Sequence, residues 1–253
     1  MNENLDNLAS PLEEKVEIKS VELNLEGRLF LPAQILDKNP GTLFIHGWKS
    51  RQEKDFELAR QLAEDGSVAL TFELRGHGDS GVEADSFSRE EFLSDALAAY
   101  DFLASDSRID KEKISVISSS FGGYLSALLS ADRKVQNLVL RAPANYPDLG
   151  FDTPRSLDDM NAISDWRRRN ISWNETKSLE ALFGFKGKVM IVESGKDETV
   201  PHETIQNYID AIEDKDHLTH IVMEDAGHSI SQNEEASKEY RSKVRKWLKD
   251  NNV

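Results

Sequence analysis

Residues 114–123 read ISVISSSFGG, an apolar run that passes directly into three serines and two glycines. A short run rich in Ile and Val, closed by a polar turn, is the pattern of a strand covered on both faces. The residues that follow, GGYLSALLSAD (122–132), continue as a helix. In an open parallel sheet, ligands sit at the carboxyl ends of the strands, and the serines stand at such an end. A serine that acts as a nucleophile there must occupy a very tight strand-to-helix turn, its hydroxyl exposed and its backbone strained. Strand and helix backbones nearly touch at that turn, so the positions two residues either side must be tiny. Ser118 would place the turn within the end of the strand, and Ser119 would put Phe121 in the tight place. Ser120 puts Gly122 there, with Gly123 following to let the helix close. The register selects Ser120. Ser118 then stands where the G-x-S-x-G pattern has glycine, and its Cβ implies some strain or a slight shift.

The same strand-then-helix pattern repeats outward from this stretch. TLFIHG (42–47), VALTFEL (68–74), NLVLRAP (137–143), KVMIVES (188–194) and LTHIVME (218–224) are further short apolar runs. Helical patterns lie between them. FELARQLAED (56–65) is one, and the next begins at FSREEF (87–92) with a capping box of Ser88 and Glu91 and a hydrophobic staple of Phe87 and Phe92. HETIQNYIDAIED (202–214) and SKEYRSKVRKWLKD (237–250) complete the set, the last with Tyr240, Val244, Trp247 and Leu248 on one face. Alternation of this kind predicts a parallel sheet with helices on both faces. Ahead of it, residues 16–33 alternate apolar and polar around Glu26-Gly27, as an antiparallel hairpin does. Residues 145–185 have no strand pattern and predict a short helical excursion between two strands.

Composition narrows the field. The chain has 253 residues, enough for one large domain with a sizeable core. With 38% hydrophobic and 30% charged residues it is globular rather than disordered. A formal net charge of −15 argues against a nucleic-acid partner, because phosphate binding needs clustered Lys and Arg. The absence of cysteine excludes disulfide scaffolds, cysteine nucleophiles and thiolate metal sites, and it fits a reducing cytoplasm. MNENLDNLASPLEEK at the start has neither the basic nor the apolar region of a secretory leader, and no apolar run approaches membrane-spanning length. The expectation is a cytoplasmic protein with no membrane span and a small-molecule partner, its oligomeric state open.

A serine hydroxyl needs a base to take its proton, and the base needs an orienting acid. On this kind of sheet both should follow the serine, acid first and then histidine, each after a later strand. KVMIVES is followed by GKDETVP (195–201), which offers Asp197, and LTHIVME by DAGHS (225–229), which offers His228. Glu198 and Asp225 are alternative acids, but Asp225 is too near His228 in sequence to approach it easily from the far side. His46 and His77 fall in loops at the same edge and are expected to hold loop geometry. The oxyanion formed by attack needs two preorganised N–H donors. The amide of Phe121, directly after the nucleophile, supplies one, and that of Trp48 in HGW (46–48) the other.

HG at 46–47, RGHGDSG at 75–81, SSSFGG at 118–123, GKDETVP at 195–201 and AGH at 226–228 together resemble the α/β-hydrolase family. The resemblance runs from about the hairpin to the last helix. The R-G-H-G-x-S-x form is similar to that of small bacterial esterases and of the dienelactone-hydrolase-like and serine-aminopeptidase-like branches. It implies an α/β fold with a mostly parallel, doubly wound central sheet of about eight strands and helices on both faces. It further implies one α/β-hydrolase domain over 1–253, with 145–185 as a short cap insert. Ser120, Asp197 and His228 would form the triad, with Phe121 and Trp48 as oxyanion donors. The expected activity is hydrolysis of a small to medium carboxylic ester through an acyl-serine intermediate, with no metal and no organic cofactor. In the insert, Phe151, Trp166 and Trp173 are candidates for an apolar substrate wall or for ordinary packing. Arg167-Arg168-Arg169 either attracts an acidic group or forms a solvated face. A peptidase, thioesterase, acyltransferase or C–C hydrolase would use the same residues, and a non-catalytic binding protein is the remaining alternative.

Overall fold

The computed structural model describes residues 11–21 and 23–251. Eight strands make one sheet. Strands β1 (Leu12–Lys19) and β2 (Asn24–Leu31) form an antiparallel hairpin, and β2 pairs antiparallel with β4 (Val68–Phe72). The other strands are β3 (Asn39–Ile45), β5 (Ile109–Ser119), β6 (Asn137–Arg141), β7 (Lys188–Lys196) and β8 (Leu218–Gly227). They run parallel with β4, in the spatial order β1-β2-β4-β3-β5-β6-β7-β8. That order reverses direction between β3 and β5. The chain leaves β3 toward one edge and returns to continue from β5 toward the other, so the loops leaving these two strands diverge and open a crevice.

The helices cover both faces because the strands alternate. Val116, Leu138 and Leu140 belong to one buried cluster, and Ile117 and Val139 to the other. On the first face lie α2 (Arg89–Ser105), α3 (Phe121–Asp132) and α6 (His202–Ala211), through Phe92, Leu125 and Tyr208 among others. On the second lie α1 (Phe56–Glu64) and α7 (Glu234–Asp250), through Leu58, Leu62, Tyr240, Val244 and Trp247. The capping box of α2 forms as expected. The Glu91 amide donates to Ser88 Oγ at 3.2 Å, the Ser88 amide donates to Glu91 Oε2 at 2.8 Å, and the Phe87 and Phe92 rings meet at 6.2 Å.

The hairpin differs from its reading in one respect. The chain reverses between Lys19 and Asn24, and Glu26-Gly27 lie inside β2. Gly27 is there for space rather than for a turn: a Cβ on it would meet Ile18 Cδ1 at 3.0 Å and the Thr71 carbonyl at 3.1 Å. Residues 145–185 contain α4 (Met160–Arg167), α5 (Lys177–Gly184) and short 3-10 turns at Arg155–Leu157 and Trp173–Glu175.

RGHGDSG is structural at its first residue. Arg75 is buried after β4 and its guanidinium takes both oxygens of Asp95, at 2.9 and 2.7 Å, with Glu91 at 2.8 Å. Asp95 in turn accepts from Ser20 Oγ at 2.7 Å, which ties the hairpin to α2. Removing one partner of a buried ion pair strands the other. Asp95→Ala is therefore expected to destabilise the fold by about 3–5 kcal/mol, measured as a fall in the urea midpoint at unchanged slope. An unshifted midpoint would show that the pair carries no net stability.

Candidate active site

Ser120 occupies the turn between β5 and α3 at φ 52° and ψ −116°, in the positive-φ region that a side chain rarely adopts. Backbone bonds on either side hold it there. Its amide donates to the Arg141 carbonyl at 2.9 Å, and its carbonyl accepts from the amides of Gly123 and Ala144 at 2.9 and 3.0 Å. The space around the turn explains the glycines. A Cβ on Gly122 would stand 2.1 Å from the Ile45 carbonyl oxygen, and one on Gly123 would stand 2.8 Å from Pro143 Cβ. Ser118, where the G-x-S-x-G pattern has glycine, fits because its hydroxyl donates across the sheet to the Val139 carbonyl at 3.3 Å.

The loops after β7 and β8 bring Asp197 and His228 to this turn. Ser120 Oγ lies 3.0 Å from His228 Nε2, and His228 Nδ1 lies 2.8 Å from Asp197 Oδ2. With the imidazole proton on Nδ1 donated to Asp197, Nε2 is left to accept from the serine hydroxyl. Burial pushes the Asp197 carboxyl up, but hydrogen bonds from His228 and from the Val200 and Thr199 amides outweigh it, so its pKa lies below the ordinary range. Asp225 instead forms an exposed pair with Lys196 at 2.6 Å. His202 and His220 are also occupied elsewhere, flanking Glu193 at 2.6 and 2.9 Å.

The HGW loop after β3 lies against the Ser120 turn, the elbow between β5 and α3, close enough that a Cβ on Gly47 would be 3.3 Å from Ser120 Cβ. Two histidines brace this loop. His46 Nε2 accepts from the Leu74 amide at 3.1 Å, and His77 Nε2 accepts from the Lys49 amide at 3.1 Å. Burial pushes the His77 imidazole below its ordinary range and the neighbouring His46 pushes it the same way, which suits an acceptor. The Trp48 ring is packed edge-on against His77, Phe92 and Phe121 at 5.2–5.4 Å, with the Arg155 guanidinium 4.0 Å from its centroid. The backbone N–H groups of Trp48 and Phe121 have no hydrogen-bond acceptor among the described residues.

The profile of the serine aminopeptidase, S33 family (Hydrolase_4) matches residues 41–183, from β3 to the end of the insert. The chain belongs to this family of α/β-hydrolases. Among its relatives is an uncharacterised protein of Mycobacterium tuberculosis, 24% identical over 205 residues, which covers 80% of this chain and 68% of that protein. Among solved structures, Thermogutta terrifontis esterase 2, phosphonylated by cyclosarin, aligns at a TM-score of 0.72 and 17% identity over 96% of this chain and 95% of its own. The acylaminoacyl peptidase of Pyrococcus horikoshii aligns at 0.70 and 16% identity over 96% of this chain. The S33-family chain spans only 41% of that peptidase's length. No helix among the described residues is long and apolar enough to cross a membrane.

In this α/β-hydrolase a cavity of about 220 Å³ opens at Ser120. Its walls come from the loops after β3 and β8, the ends of β5 and β6, and helices α1 and α7. The insert contributes none of them, which corrects the expected apolar wall. Phe151 lines a separate groove with Leu93 and Leu128, its ring 4.9 Å from Lys177 Nζ. Trp166 packs on the core of the α2/α3 face, and Trp173 stacks on Phe183 at 4.0 Å. The reason is packing: α5 buries Leu179 and Leu182 in the α2/α3 face of the sheet, away from the cavity. Nor is Arg167-Arg168-Arg169 one solvated face. Arg167 is buried, donates to the Asn145 carbonyl at 2.9 Å and lies 4.4 Å from the Tyr146 centroid. The cavity also holds residues to which the sequence assigned no site role, Asp55, Arg141 and Tyr240, the last expected only to pack against the core. Only Arg141 carried a signal, as a cation closing an apolar strand at the carboxyl edge.

Two measurements follow from this geometry. Gly122→Ala forces α3 away from β3 and is expected to cost about 1–3 kcal/mol and to misplace Ser120. Ser118→Gly loses one hydrogen bond and some strand propensity and stays within about 1 kcal/mol. Unfolding curves for both, with equal losses, would contradict the close-approach argument. The second concerns pH. Because the folded-state pKa of Asp197 is lowered, its contribution is present above its ordinary value of 3.8 and is lost as pH falls through the folded value. The stability advantage of wild type over Asp197→Asn should therefore shrink as pH falls below 3.8. An advantage that persisted into strong acid would contradict it.

Proposed function

We propose that this hydrolase cleaves a small to medium carboxylic ester through an acyl-serine intermediate. The observation that carries the reading is the unbroken chain of contacts from Ser120 Oγ to His228 Nε2 at 3.0 Å and from His228 Nδ1 to Asp197 at 2.8 Å. His228 takes the hydroxyl proton as Ser120 Oγ attacks the ester carbonyl, and Asp197 holds the tautomer and stabilises the imidazolium. The oxyanion accepts from the amides of Phe121 and Trp48. His228 then protonates the departing alcohol, and water, deprotonated by the same imidazole, releases the acid and restores Ser120.

A second reading is favoured by the family's description as a serine aminopeptidase and by the likeness to an acylaminoacyl peptidase. On it, the same residues cleave an aminoacyl amide. The two differ in leaving group, not in machinery.

The test is a phosphonate, since the aligned esterase is seen phosphonylated. A fluorophosphonate should label Ser120 stoichiometrically, and Ser120→Ala should abolish both labelling and turnover of short-chain 4-nitrophenyl esters. Asp197→Asn is expected to lower kcat on the order of 10⁴-fold with a smaller change in KM. Faster cleavage of aminoacyl amides than of esters would favour the peptidase reading. Failure to label would refute both.

A further inference from the structure

The cavity at Ser120 is charged against the character of the chain. It is lined by Lys49, Lys54, Arg141 and Arg241 and by one carboxyl, Asp55, in a protein with 46 acidic and 31 basic residues. Lys49 and Lys54 lie at its exposed side, whereas Arg141 is 8% exposed. The last residue of β6, Arg141 follows the alternation that sends Val139 toward the α1/α7 face. A guanidinium carries five N–H donors. The Arg141 guanidinium makes one hydrogen bond among the described residues, from Nη1 to the His228 carbonyl at 2.7 Å. Arg241 Nε, on the same cavity, is buried with no acceptor. Asp55 faces the cavity without an ion-pair contact to either arginine, and burial pushes its carboxyl up to about 6, against the pull of His46 and Arg141. No carboxylate among the described residues stands within ion-pair distance of Arg141, and although Asp55 and Asp197 act on it from farther off, burial drags its pKa below the ordinary value.

We propose that this cavity is a substrate subsite for a carboxylate, gripped by Arg141, so that the preferred ester carries a carboxylate a few atoms from the bond attacked by Ser120. The proposal rests on the serine-hydrolase reading above and extends it to substrate class. The fork of the guanidinium matches the two oxygens of a carboxylate. A monoanion adds one negative charge to a lining of four cations and Asp55, whereas a phosphate dianion would add two beside that carboxyl. The cavity of about 220 Å³ admits a short acyl chain that ends in an acid group. Lys49 and Lys54 at the rim add attraction on approach.

Two ester pairs and a protection experiment test it. The first pair is 4-nitrophenyl hydrogen adipate and its methyl ester, with the charge in the acyl half. The second is 4-(butyryloxy)benzoate and its methyl ester, with the charge in the leaving group. In wild type, kcat/KM for the charged member should exceed that for the neutral one by about tenfold or more in one pair, as a charge-assisted hydrogen bond allows; the pair that responds tells which half carries the acid. Arg141→Met should erase that ratio and Arg141→Lys retain part of it. Arg141 also holds the His228 carbonyl, so the readout is the ratio within a pair, which misplacement of His228 alone leaves unmoved. Should Arg141→Met fail to fold, wild type still decides: adipate should slow fluorophosphonate labelling of Ser120, and adipamide should not. Labelling without protection, together with equal kcat/KM within both pairs, would overturn the subsite and leave the nucleophile intact. Absence of any labelling would overturn the serine reading and the subsite with it.

Discussion

The carbonyl oxygen of Ile45 occupies the place where any side chain on residue 122 would begin. That close approach of α3 to the end of β3 is the constraint on which the site depends. It brings the HGW loop against the elbow, and it forces Ser120 into a positive-φ turn. The turn is held because the neighbouring chain accepts and donates at both ends of the residue, through the Arg141 carbonyl and the Ala144 amide. Strain of this kind persists only where the surroundings over-determine it. Here the surroundings include the reversal of strand order between β3 and β5, which sends the chain to opposite sides of these strands and leaves a crevice at their ends.

Electrostatics then divide the labour among buried groups. His46 and His77 serve as hydrogen-bond acceptors through Nε2 that fix the loops after β3 and β4. His228 is turned the other way, with one ring nitrogen on a carboxylate and the other on a hydroxyl. Arg75 and Arg155 are structural, one closed by Asp95 and the other set over the Trp48 ring. Arg141 differs from both in having a cavity where its partner would be. The two faces of the sheet are therefore not equivalent. The α2/α3 face carries the insert and the aromatic residues around Trp48, and the cavity at Ser120 opens on the α1/α7 face.

Much of this was legible in the residues alone. Five of the six parallel strands follow from apolar runs buried on both faces, β8 at the sheet edge follows from an apolar run that stays partly exposed, and the capping box and staple of α2 follow from local spacing. The choice of Ser120 among three serines followed from the size of residue 122, because steric exclusion is a local property that a sequence displays. The order of Asp197 and His228 after later strands was legible for the same reason: each sits directly after an apolar run, at the one edge where loops of a parallel sheet collect. The hairpin turn was misplaced because a glycine that makes room for Ile18 and Thr71 looks, in sequence, like a glycine that makes a turn.

What the sequence by itself determined is thus the order of elements, the tight turn and the residues that meet there, since each rests on short-range sterics or on burial patterns of period two and 3.6. What only the tertiary structure decided is which surfaces face the cavity. Phe151, Trp166 and Trp173 have the composition of a pocket wall, but the face of α5 that carries Leu179 and Leu182 draws the insert onto the other side of the sheet. Asp55, Arg141 and Tyr240 are 86 and 99 residues apart along the chain, yet line one space. No local pattern encodes that meeting. It is set by the packing of α1 and α7 across the sheet, where the energy depends on contacts between residues distant in sequence.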